Sequence, residues 1–157
     1  MFKVFLSHSN KLDDWERIQR LEMWLSEIGV VPILARRIHK PEPVADKVLS
    51  LIDESDALVA LWTKSSSASV FVNHEIGHAY SNKPLFILRD PGVELAGFVY
   101  GIDTIELGSK NINEEFEKFR ASLLELKDAK ELVGALFFGL LAIAGIIGFM
   151  LLLSRSK

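Results

Sequence analysis

Ala57-Leu58-Val59-Ala60-Leu61-Trp62 runs through Thr63-Lys64-Ser65-Ser66-Ser67-Ala68-Ser69 into Val70-Phe71-Val72-Asn73-His74-Glu75-Ile76-Gly77-His78-Ala79, and the reading of this stretch decides the fold. An extended chain points alternate residues to opposite faces, so an unbroken apolar run from Ala57 to Trp62 has no face left for water. That is the pattern of a central strand in a parallel sheet with cover on both sides. The serines then supply turn chemistry, and the next segment is a helix bearing one carboxylate, Glu75.

Working outward, Phe2 to Leu6 is a first buried strand that gives way to the turn-forming Ser7-His8-Ser9-Asn10. Asp13 or a neighbour caps the helix that follows, with Glu16 placed for a capping box, and Trp15, Ile18, Leu21, Trp24, Leu25 and Ile28 form its apolar face before Gly29. The tryptophans at 15 and 24 are core residues first. Val30 to Leu34 is a second strand whose Pro32 lacks a ladder donor and so predicts a sheet edge. Ala35 to Pro43 carries Arg36, Arg37, His39, Lys40 and two prolines, and reads as a basic loop: a plain solvated loop, or a place for a pyrophosphate. Val44, Val48, Leu51 and Ile52 mark a second helix. Beyond Glu75, Leu85 to Leu88 repeats the buried-strand pattern, Arg89-Asp90-Pro91-Gly92 makes a turn, and Thr104-Ile105-Glu106 is a weaker fifth strand. Phe116, Phe119, Leu123 and Leu126 line one face of a last helix.

Strand and helix alternate along the chain, which predicts an α/β fold: a flavodoxin-like parallel five-stranded sheet with helices on both faces. Ligands of such sheets bind outside the carboxyl ends of the strands. Ser7 to Lys11, the Arg36 loop, the serine turn and Arg89 all fall on that rim. The domain is expected over residues 1–110, with a connector over 111–131.

The C-terminal end is of a different kind. Leu132 to Leu153 holds no charged residue and is long enough for a helix through a hydrocarbon core of about 30 Å, so a transmembrane helix is expected over 132–153, with Ser154 to Lys157 as an interfacial stop. Only Lys3 precedes the first apolar run, which is too short for a signal peptide. Together these predict a single-pass, tail-anchored membrane protein with its α/β domain in the cytoplasm. The absence of cysteine excludes disulfides, Cys-ligated zinc and thiol chemistry. A net charge of −3 argues against a nucleic-acid partner. Ala135 with Gly139, Ala144 with Gly148, and the stripe Gly139, Ala142, Gly145 would let two such helices approach closely, although these residues are also ordinary in membrane helices.

Taken together, Phe5-Leu6-Ser7-His8-Ser9-Asn10-Lys11-Leu12-Asp13 after the first strand, the basic proline-containing loop after the second, and the stretch from Ala57 to Ala79 followed by Lys83-Pro84-Leu85-Phe86-Ile87-Leu88 resemble the Toll/interleukin receptor (TIR) domains of bacteria and archaea. The likeness covers Phe2 to about Leu107. In many members of that family an aromatic, usually Trp, stands four residues before a glutamate that supports cleavage of the nicotinamide–ribose bond of NAD+. Here Phe71 and Glu75 occupy those positions, keeping a stacking face and losing the indole donor. The resemblance implies Glu75 as catalytic residue, with Ser7, His8, Ser9, Arg36 and Phe71 near the substrate. It also implies NAD+ as substrate with no cofactor, a loop over Ala35 to Pro43 that moves on assembly, a homo-oligomer, and a role in antiviral or immune defence. Many TIR domains are instead adaptors that only bind one another, so a signalling scaffold is the alternative.

His74-Glu75-Ile76-Gly77-His78 also spells HExxH, which on a helix puts two histidines on one face with a glutamate as general base for zinc peptidase chemistry. Zinc needs a third protein ligand. His8 and His39 lie upstream, leaving Glu94 or Glu106, and the surrounding strand–helix alternation is foreign to such proteases. No metal is therefore expected.

Overall fold

The computed structural model describes residues 1–35 and 44–154, with side chains for 1–35 and 46–137. Its elements are β1 (Lys3–Ser7), α1 (Leu12–Glu27), β2 (Val31–Leu34), α2 (Val44–Asp53), β3 (Ala57–Trp62), α3 (Lys64–Ser67), α4 (Val70–Tyr80), β4 (Leu85–Arg89), a 3-10 turn (Gly97–Val99), β5 (Thr104–Glu106) and α5 (Ile112–Ser154). All strand pairs are parallel, in the order β2-β1-β3-β4-β5. The α/β fold with a five-stranded parallel sheet is the one the alternation predicts. The order reverses between β1 and β3, where Ser7 lies opposite Ala60. In a doubly wound sheet this switch point opens a crevice at the carboxyl ends of the strands.

Every residue of β3 is buried, as an apolar run without periodicity requires. On one face Leu58, Ala60 and Trp62 join Phe5 and Ile87 in a core with Val48 and Ile52 of α2 and Val72, Ile76 and Ala79 of α4. Towards α1 and α5, Leu61 and Leu88 sit with Leu21, Trp24 and Phe116 around a groove of about 340 Å³. Trp24 is half-buried, its ring 4.6 Å from that of Phe116 and 5.6 Å from that of Phe119, so it packs in an aromatic cluster as a core residue. β2 pairs only with β1, and Pro32 stands on this edge strand, where a missing N–H costs no ladder bond.

Two local expectations are corrected. No side chain caps α1: Lys11 is its N-cap, and Asp13 and Asp14 lie in the first turn, where the helix dipole favours carboxylates. The serine run is a short helix rather than a plain turn. Thr63 caps it by accepting the Ser66 N–H while the Ser66 hydroxyl returns to the Thr63 N–H.

The exit from α1 is closed by backbone alone. Val30 N–H donates to the Leu25 carbonyl at 2.9 Å and Gly29 N–H to the Ser26 carbonyl at 3.1 Å, with Gly29 at φ 72°. That is a Schellman turn, and an L side chain at this φ is strained. Gly29→Ala should therefore lower stability by about 1 kcal/mol, the left-handed penalty partly offset by a stiffer unfolded chain. A urea midpoint equal to the parent's would show that the turn carries no such constraint.

Met1–Ala121 forms one compact unit and a second begins at Ser122. The backbone of α5 is helical without interruption from Ile112 to Ser154. Among the described residues no helix is long and apolar enough to cross a membrane. The span expected over Leu132 to Leu153 is thus not supported there, and the side chains of 138–153 lie outside the described residues.

Candidate functional site

α4 is placed before it is used. Ser69 caps it by accepting the Val72 N–H at 3.4 Å, and Asn73 Nδ2 donates to the carbonyls of Ser67 (3.0 Å) and Ser69 (2.9 Å), locking α4 onto the end of α3. Val72, Ile76 and Ala79 recur at helical spacing and are buried, which fixes the rotation of the helix. Glu75 is thereby brought half-buried to the β1/β3 switch point.

There the Ser7 hydroxyl, fully buried at the end of β1, donates to Glu75 Oε2 at 2.5 Å. Burial pushes the Glu75 carboxyl up from its ordinary 4.5 to about 7, and the Ser7 bond, which favours the ionised form, holds it back from rising further. A carboxyl poised near neutrality in a crevice is a functional-site signature. Phe71, one helical turn earlier on the same face, is 73% exposed and offers an open aromatic ring.

The other expected site residues divide. His8 is half-buried beside Trp15, with ring centroids 5.5 Å apart, and its Nδ1–H donates to the Ser9 carbonyl at 2.7 Å. Ser9 is buried and its hydroxyl is turned inward onto Asp14. Arg36, with the rest of the basic loop over 36–43, lies outside the described residues. Arg89 Nη2 donates to Glu106 across β4 and β5. Sequence reasoning missed Asp14, which is 3% exposed and also accepts from Thr63 Oγ1 at 3.0 Å. A second acidic residue after Asp13 reads as helix-start chemistry, and no local pattern announces a partner on another strand.

The two histidines of HEIGH do not converge with Glu75. His74 is exposed, whereas His78 Nε2 contacts Asp53 Oδ1 of α2 at 2.8 Å. Of the carboxylates considered as third ligand, Glu106 is held by Arg89. Among the described residues no group of three or more His, Cys, Asp or Glu side chains is placed to hold a metal ion. A cleft of about 680 Å³ with a mixed lining opens at the carboxyl ends of β3 and β4, with Lys64, Ser67, Val93 and Ala96 among its residues; Glu75 is not part of it.

Comparison with known proteins adds the following. The TIR domain family model matches residues 4–124. A search of curated proteins returns no match. Among solved structures, the TIR domain of a Toll-related receptor from Hydra magnipapillata is 12% identical, with 81% of this chain and 99% of that one covered at a TM-score of 0.67. A prokaryotic SEFIR domain is 15% identical over 76% and 96% of the two chains, with a TM-score of 0.55. A Clostridium botulinum CMP N-glycosidase is 22% identical over 74% and 98%, also at 0.55. At these identities the likeness is one of fold.

Proposed function

Because the chain belongs to the TIR domain family, some of whose members hydrolyse NAD+, we propose that it is an NAD+ nucleosidase cleaving the nicotinamide–ribose bond. The single observation that supports this reading is Glu75, held half-buried at the switch point by Ser7 with its carboxyl near neutrality and an exposed aromatic one turn away. When the bond breaks, nicotinamide leaves with the bonding electron pair and positive charge develops on the ribose. Nicotinamide is a good leaving group once neutral, so no acid is needed. An ionised Glu75 stabilises the oxocarbenium-like centre and can accept hydrogen bonds from the ribose hydroxyls. Addition of water at the anomeric carbon and loss of a proton gives ADP-ribose; capture by a nucleophile of the same molecule gives a cyclic product. Phe71 offers a face for stacking, and the basic loop containing Arg36 is assigned to the pyrophosphate.

Mass spectrometry of NAD+ incubated with concentrated protein tests this directly. Nicotinamide should appear together with ADP-ribose or a cyclic isomer. Intact NAD+ under those conditions would favour the second reading, a TIR signalling scaffold, which draws support from the exposure of Val70 and Phe71 in the first turn of α4. Either role belongs to defence signalling.

Anchoring and self-association are part of the same proposal. The uncharged sequence from Leu132 to Leu153, carried on the uninterrupted backbone of α5, is assigned as a single-pass membrane anchor with the TIR domain on the cytoplasmic side. Confinement to a surface raises the effective concentration of domains, so weak contacts between copies form without higher intrinsic affinity. A fragment ending at Glu131 should be soluble, and when dilute its turnover should fall several-fold below that of the anchored chain and recover on fusion to an oligomerising coiled coil. Equal turnover by a demonstrably monomeric fragment would reduce the segment to a matter of location.

A further inference from the structure

The Ser7–Glu75 contact joins the last residue of β1 to the second turn of α4, so its length depends on how the chain is held where it leaves β1 and β3. One carboxyl holds both corners. After β1, Ser9 Oγ accepts the Lys11 N–H at 3.3 Å and donates to Asp14 Oδ2. After β3, Thr63 Oγ1 accepts the Ser66 N–H at 3.1 Å and donates to the same Oδ2 at 3.0 Å. From Thr63 the connection continues through α3 to Ser69 and Asn73, which set where α4 begins. Asp14, Ser9, Thr63 and Ser66 are all buried, so the bonds are made away from water, where an unpaired hydroxyl or carboxyl is costly. Asp14 thus closes a ring of contacts of which Ser7–Glu75 is the opposite side.

We propose that Asp14 is a positioning residue for the Glu75 site: by joining Ser9 after β1 to Thr63 after β3 through one carboxyl oxygen, it keeps the Ser7 hydroxyl within hydrogen-bond distance of Glu75. For its effect on turnover this rests on the nucleosidase reading; the contact itself can be followed without substrate. A carboxyl that merely satisfied two hydroxyls would affect stability and leave the ionisation of Glu75 alone. A carboxyl that positions Ser7 changes that ionisation, because among the described residues the influences on Glu75 are its burial and the Ser7 hydroxyl.

The test is a carbon-13 NMR titration of the glutamate side-chain carboxyls in the 157-residue chain, with the Glu75 signal assigned by its loss in Glu75→Gln. Ser7→Ala should raise the Glu75 midpoint above about 7, since the hydroxyl it removes lowers it. Asp14→Ala should move the midpoint in the same direction, and the double variant should move it no further than Ser7→Ala alone. Asp14→Asn, whose carboxamide oxygen still accepts, should restore most of the parent value. Should Asp14→Ala fail to fold, Thr63→Val removes one of the two donors and carries the same expectation. A midpoint unmoved by Asp14→Ala or Thr63→Val while Ser7→Ala shifts it, or unmoved by Ser7→Ala itself, overturns the proposal. NAD+ cleavage by the same proteins separates the two readings. A parent without turnover but with the titration pattern intact sinks the nucleosidase and leaves Asp14 as positioned; turnover without that pattern does the reverse.

Discussion

Glu75→Gln should leave the fold intact and cut NAD+ cleavage at least about a hundredfold, which corresponds to about 2.7 kcal/mol of barrier if the carboxylate is the main stabiliser of the developing charge. The amide keeps the shape and the hydrogen-bonding reach of the side chain and removes only its negative charge, so the variant isolates electrostatics from packing. In the parent, activity should climb with pH through about 7, because the proposed mechanism needs the ionised form and burial holds the carboxyl protonated below that point. Stability runs the other way. Unfolding returns Glu75 to its ordinary 4.5, so between 4.5 and about 7 the folded chain keeps a proton that the unfolded chain has lost. This group's contribution is fully present below 4.5 and is lost as pH rises through 7. At pH 8 Glu75→Gln should accordingly be more stable than the parent by about 1–2 kcal/mol, after allowance for the half-exposed position, and the gap should close near pH 4. A folded variant with parental turnover would place the chemistry elsewhere; a stability gap independent of pH would refute the buried proton.

Trp62→Ala should cost about 3–5 kcal/mol, among the largest losses a single truncation in this core can produce. Trp62 is wholly buried at the end of β3, packed in the cluster shared with α2 and α4, and its Nε1–H donates to the Glu94 carbonyl at 3.0 Å. Alanine leaves a cavity beneath α4 and removes the tie to the segment after β4. Since a domain of this size has only about 5–15 kcal/mol to lose, the variant should be partly unfolded well below the parent's melting temperature. Trp62→Phe divides the effect. It retains most of the apolar volume and gives up the donor, and because water can reach the exposed Glu94 its cost should be nearer 1–2 kcal/mol. Urea unfolding of the three proteins provides the comparison. A Trp62→Ala midpoint close to the parent's would mean that this corner repacks freely.

The sheet was legible because its evidence is local. The run from Ala57 to Trp62 allows no polar face, and Pro32 has no hydrogen to give a neighbour, so centre and edge follow from chemistry within each segment. Glu75 and Ser7 were each legible as rim residues. Their contact was not, because it depends on β3 inserting beside β1, which no neighbouring residue encodes. Asp14 was hidden more thoroughly. Next to Asp13 at a helix start it mimics capping, and the partner that reveals its real use, Thr63, lies 49 residues away. Turn chemistry likewise predicted a bend over the serines where Thr63 and Ser66 build a capped helix, since the same hydroxyls serve both structures.

The order β2-β1-β3-β4-β5 also dictates a timetable. As the polypeptide leaves the ribosome, β1 can meet β2 early, but its second edge stays open until β3 has been made, and Ser7 waits for α4. Pairings this distant along the chain are slow to form, since the entropy of closing the intervening loop is lost before any contact rewards it. Pulse-labelled hydrogen exchange during refolding should therefore protect amides of β3 no earlier than those of α1. For the proposed nucleosidase, the same order means that the Ser7–Glu75 contact cannot exist on the nascent chain until α4 has been made, because its two residues are translated 68 positions apart.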